Sequence, residues 1–125
     1  MPVSYVLNGS LLRLDLEGQY EPREIIEQFL TGLAEPECPR KIALLLDTTR
    51  SESLGKRSPS EIRGVAEFLE PYAKRIGRCA VVAQSDVHFG MSRMGTAYSE
   101  NVGVVARVFR EPGEALAWLG VEPGP

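Results

Sequence analysis

The chain has 125 residues, 43% hydrophobic and 25% charged, with a formal net charge of −3. That length fits one domain and buries roughly two-thirds of its unfolded surface, so no disulfide or metal staple is needed. The acidic balance argues against a nucleic-acid binder, which carries a basic stripe or excess.

The first apolar run, Val3 to Leu7, is followed by Asn8-Gly9-Ser10 and a second run, Leu11 to Leu16. Asn-Gly between two such runs is a hairpin signal, because both residues tolerate positive φ. Leu12, Leu14 and Leu16 alternate with Arg13, Asp15 and Glu17, the period of a strand with one buried face. Gly18 ends the pair. A helix begins at Tyr20-Glu21-Pro22, with proline at its first position and Ile25, Ile26, Phe29, Leu30, Leu33 and Ala34 as its stripe. Pro36 and Pro39 stop it.

Ile42 to Leu46 is continuously apolar and closes on Asp47, the pattern of a parallel strand covered on both faces. Ser58-Pro59-Ser60-Glu61 is a capping box, and Ile62, Val65, Ala66, Leu69, Tyr72, Ala73 and Ile76 continue it as a helical stripe. Pro71 interrupts that helix near Glu67 to Glu70, and Gly77 suits its stop. Cys79 to Ala83 is the next buried strand. Ser85 or Asp86 then caps a helix with Val87, Met91, Met94 and Tyr98 roughly on one face, weakened by Gly90 and Gly95. Val104 to Phe109 is the last strand, Glu111-Pro112 starts a short final helix, and the tail after about residue 120 is expected to fray. The order ββαβαβαβα predicts a single α/β domain over 1–125: a mixed, mostly parallel five-stranded sheet flanked by four helices.

Little in the sequence carries a reaction. Two cysteines, one histidine and no CxxC argue against a zinc site, and no cofactor motif is present. No basic-then-apolar leader opens the chain and no apolar run approaches the ~20 residues of a transmembrane segment, so a cytoplasmic protein is expected. Two loops face the carboxyl edge of a parallel sheet, where ligands gather: Asp47 through Ser60 and Gln84 through Arg93. In the first, Asp47, Thr48, Arg50, Arg57, Ser58 and Ser60 form a candidate anion or partner edge, because helix N-terminal N–H groups and basic side chains favour an anion. Asp47 can otherwise brace its own turn, and Arg50, Lys56 and Arg57 can simply be solvated. His88 has no triad partner in sequence. Met91 and Met94 with Phe89 can line an apolar cavity or fill a core.

The opening hairpin, the IALLLDTT strand ending near Asp47, and the closing FREPGEALAWL segment from Phe109 to Leu119 resemble the SpoIIAA-like proteins of the STAS/CRAL-TRIO-type fold. The resemblance spans about Val3 to Leu119 and implies a non-enzymatic regulatory or ligand-binding domain. Some relatives antagonise anti-sigma factors and are switched by phosphorylation of a serine at the start of the helix after the central strand. Ser58 or Ser60 is the nearest equivalent here, in a longer loop with no Asp beside the serine. Resemblance to other members implies the carriage of a non-polar molecule between helices and sheet. That version places a pocket at Ile62, Ala66, Leu69, Val87, Met91, Met94 and Tyr98. The expected partner is then a small non-polar molecule or a regulatory protein, with a homodimer as a further possibility. The rival is an enzyme acting on an anionic substrate through Asp47.

Overall fold

The computed structural model describes residues 2–121. Its first two strands, β1 (Val3–Asn8) and β2 (Leu11–Gly18), form the expected antiparallel hairpin. The turn itself is one residue later than the Asn-Gly signal suggests. Asn8 pairs with Leu11 and leaves Gly9-Ser10 as the two-residue loop, with Gly9 at φ +61° and no non-glycine residue at positive φ among the described residues. Positive φ at the first loop position alone is the II′ pattern, which needs glycine there.

Strand β3 (Ile42–Ser51) runs parallel to β2 and is longer than its apolar core predicts. It continues past Asp47 because β2 continues beside it. An irregularity between Asp15 and Glu17 resets the register, after which Glu17 pairs with Arg50 and Gly18 with Ser51. The β-branched pair Thr48-Thr49 suits that extension. Strand β4 (Ile76–Val82) also starts earlier than expected: Ile76 pairs with Ile42, so Gly77 lies inside a strand rather than stopping a helix. Strand β5 is short, Ala106–Phe109.

Helices α1 (Pro22–Leu33), α2 (Pro59–Phe68) and α3 (Asp86–Asn101) connect the parallel strands, and α4 (Pro112–Leu119) closes the chain. Pro71 acts as expected: α2 ends at Phe68, and a 3₁₀ segment, Glu70–Arg75, carries the chain into β4. Despite Gly90 and Gly95, α3 is one unbroken helix of 16 residues, capped by Ser85, whose hydroxyl accepts from the His88 N–H. The expected fray of the tail falls mainly on 122–125, outside the described residues.

Among the described residues the sheet order is β1-β2-β3-β4-β5, with the β1–β2 pair antiparallel and the other three pairs parallel. Strand order simply follows the chain. Right-handed crossovers therefore set α1, α2 and α3 on one face of the sheet, and α4 packs on the other, against β3 to β5. The three-helix face carries the larger core, with Leu12, Leu14, Leu16, Phe29, Ile42, Leu44 and Cys79 buried. Phe29, Phe68 and Tyr72 meet edge-on or tilted, with ring centroids 5.5–6.4 Å apart, and fill the space between α1, the end of α2 and the 3₁₀ segment. The second core, Leu11, Leu45, Ala80, Val82 and Ala115, lies under α4. Strand order never reverses, so the switch-point crevice at which open α/β sheets commonly bind ligands does not arise.

A candidate ligand cleft between sheet and helices

An apolar cleft of about 110 Å³ opens instead on the three-helix face, in the carboxyl-terminal half of the sheet. Its floor is Leu16, Leu46, Thr48, Cys79 and Val81 from three neighbouring strands. Ile62, Val65, Ala66 and Leu69 of α2 form one wall, and Met91, Ser92, Gly95, Thr96 and Ser99 of α3 form the other. Tyr20, Pro22 and Ile25 border it from the start of α1.

The cleft exists because α3 turns short side chains inward. Ser92, Gly95, Thr96 and Ser99 recur at i, i+3, i+4 and i+7, one face of a helix. A Cβ added at Gly95 would stand 3.4 Å from Ile62 Cγ2, so α2 and α3 approach closely there. The short side chains beneath that contact do not reach down to Leu46 and Val81, which stay only half-buried. The wall is apolar although it includes hydroxyl residues, because most of these are spent on other partners. Thr48 donates to the Val82 carbonyl at 2.7 Å, Ser99 to Gly95 at 2.9 Å and Thr96 to Arg93 at 2.9 Å. The Tyr20 and Ser51 hydroxyls share a buried hydrogen bond of 2.8 Å, and burial raises the Tyr20 pKa above its ordinary value. Burial likewise pushes the Cys79 thiol up to about 12.

Of the residues expected at a pocket, Ile62, Ala66, Leu69 and Met91 stand on this wall. Val87 is 61% exposed at the start of α3, and Met94 and Tyr98 are half-buried off the wall. Phe89 lies off it too, under the Arg110 guanidinium at 4.4 Å, and His88 sits in the first turn of α3 away from the cleft. Leu16, Tyr20, Ile25 and the small-residue face of α3 were not anticipated. Their signal was present as S-x-x-G-T-x-x-S at helical spacing, but it is a pattern of small residues, not of apolar ones.

The six residues of the candidate edge are divided by the sheet. Thr48 and Arg57 border the cleft. Asp47 and Arg50 belong to the opposite face, in a polar cluster with Arg13, Asp15, Glu17 and Thr49. There Asp47 accepts from Arg13 Nη2 at 3.1 Å and from the Thr49 N–H and hydroxyl at 2.9 and 2.7 Å, while Arg50 pairs with Glu17 at 2.9 Å. Ser58 and Ser60 are exposed at the start of α2. The capping box is complete: Ser58 Oγ accepts from the Glu61 N–H, and Glu61 accepts from the Ser58 N–H at 2.9 Å. Pro59 has no N–H to offer, so this helix start has few free donors for an anion. Arg57 is engaged as well, at 3.1 Å from Glu61 and 3.6 Å from Glu21. The loop is held rather than loose: the Glu52 N–H bonds to Gly18, the Tyr20 N–H to Ser53 Oγ, and Ser53 is fully buried.

The geometry offers an apolar recess whose polar groups are mostly satisfied, and no acid–base pair. No described helix is long and apolar enough to cross a membrane, and no described cluster of His, Cys, Asp and Glu could hold a metal. A solved relative has the same architecture: an uncharacterized protein of the DUF3478 family with a SpoIIAA-like fold, from Shewanella loihica PV-4. It superposes with a TM-score of 0.60 at 16% identity over 94% of this chain and 91% of that one. No curated protein matches the sequence. The SpoIIAA-like family profile matches residues 11–120, from the second strand of the hairpin to the end of α4, and the chain belongs to that family.

Proposed function

We propose that the protein is a non-enzymatic, cytoplasmic module that takes a small non-polar molecule into the cleft between α2, α3 and the sheet. The family supports a regulatory or interaction role in general. The observation that carries the finer reading is the cleft itself: an apolar recess bordered by Leu46, Ile62, Leu69, Val81 and Met91, whose hydroxyl-bearing neighbours mostly turn their polar atoms away. Its volume of about 110 Å³ is a little under the ~150 Å³ of an apolar cavity known to hold benzene. A single ring or a short branched chain fits inside; a longer molecule would project from the mouth.

The rival readings have less support. An enzyme centred on Asp47 would need a second group, and the Asp47 carboxylate is already committed to Arg13 and Thr49 on the far face of the sheet. A phosphate on Ser58 would meet the Glu61 carboxylate that already occupies that helix start. Native mass spectrometry of gently purified protein tests the proposal. A bound mass that disappears in Ala66→Leu, with the fold preserved, supports it. Ligand-free protein that gains no thermal stability from small apolar compounds contradicts it.

A further inference from the structure

One hydroxyl on the cleft wall differs from the rest. Ser92 is only 6% exposed and lines the cleft from the middle of α3. Thr96 and Ser99 beside it, and Thr48 and Tyr20 opposite, each spend their hydroxyl on a protein partner. The Ser92 hydroxyl makes no such bond among the described residues. It is not sealed in either, since no described side-chain polar atom is both fully enclosed and without a partner. Because Ser92 lines the cleft, its hydroxyl is the one on these walls left to bond a molecule seated there.

We propose that Ser92 is the polar anchor of the cleft and that the ligand is an uncharged molecule: a small apolar body bearing one hydroxyl or carbonyl oxygen. This rests on the cleft being a ligand site. A buried hydroxyl without a protein partner loses a hydrogen bond that a ligand oxygen restores, and in an otherwise apolar recess that one bond sets the orientation. The cleft offers an acid no uncommitted cation. Arg57 already faces two carboxylates, Glu61 at 3.1 Å and Glu21 at 3.6 Å, and donates from Nε to the Ser53 carbonyl at 3.3 Å. Arg57 and Glu61 are the charged residues that line the cleft, and with the guanidinium so engaged an incoming carboxylate or phosphate would lose its water without gaining a free cation.

Titrating the full chain with benzene, phenol and benzoate, followed by amide chemical shifts, tests this. In the unaltered protein phenol shifts the amides around Ser92 and Val81 and binds more tightly than benzene, and benzoate binds worst. In Ser92→Ala the preference for phenol over benzene falls by roughly two- to twelvefold while benzene binding persists. Ser92→Thr, which keeps the hydroxyl, retains the preference. An undiminished phenol preference in Ser92→Ala, or benzoate as the tightest ligand, overturns the anchor while leaving the cleft intact as a site. Failure of all three compounds to bind overturns the cleft reading and the anchor with it.

Discussion

Asp47 and Cys79 show how surroundings decide what a side chain can do. Asp47 spends its oxygens on Arg13, the Thr49 N–H and the Thr49 hydroxyl. A carboxylate so engaged braces the β2–β3 pair, and charge-assisted hydrogen bonds of this kind contribute about 1.5–3 kcal/mol each when buried and less when partly exposed. Asp47→Ala is accordingly expected to cost about 1–2 kcal/mol in urea unfolding while leaving the cleft's ligand affinity unchanged. Cys79 sits on the cleft floor with its thiol pushed up to about 12 by burial, so almost no thiolate exists at neutral pH. A disulfide reagent added to native protein should modify half-buried Cys38 first and reach Cys79 only on unfolding. Rapid native labelling of Cys79 would show that the floor opens readily.

Among the elements, α2 and its cap are the most legible in sequence, and they carry a pH dependence. Glu61 is held below its ordinary value of 4.5, chiefly by the Ser58 backbone N–H, with burial opposing and Arg57 assisting. A carboxylate whose folded pKa is lowered adds stability that is fully present above its unfolded value and is lost as pH falls through the folded one. Thermal melts should thus show a loss below about 4.5 that is shallower in Glu61→Gln. Ser58→Ala should cost about 1 kcal/mol at neutral pH, through the lost cap.

Glycines in α1 and α2 make a paired test of helix packing. Gly64 has open space around it, and Gly64→Ala should stabilise α2 by about 0.5–1 kcal/mol. Gly32 faces the hairpin, where an added Cβ would fall 2.6 Å from Leu12 Cδ1, and Leu12 is fully buried. Gly32→Ala should therefore destabilise by about 1–3 kcal/mol despite the same gain in helix propensity.

At the scale of the whole molecule, the order of elements and the parallel sheet were readable because each relies on local signals: a Gly turn, a capping box, Pro71, and apolar runs of strand length. Strand ends were less readable. β3 reaches Ser51 only because β2 lies beside it, and β4 begins at Ile76 only because Ile42 pairs there. Neither partnership is written in the strand's own residues. The candidate site was half-readable. The α2 side follows from its apolar stripe, whereas the α3 side depends on which face of that helix turns inward. Apolar side chains at Val87, Met91, Met94 and Tyr98 suggested one face, of which Met91 alone lines the cleft; the small residues Ser92, Gly95 and Ser99 mark the face turned toward it. A sheet whose strands follow chain order stacks three helices on one face, and the short side chains of α3 leave a recess beneath them.

A crystal structure determined under xenon pressure would test the central claim most directly, because xenon enters apolar cavities without needing a chemical match. Xenon density between Leu46, Ile62, Val81 and Met91 is the predicted result, with that density absent in Ala66→Leu. A recess already filled by the protein's own side chains, with no xenon in it, would contradict the account.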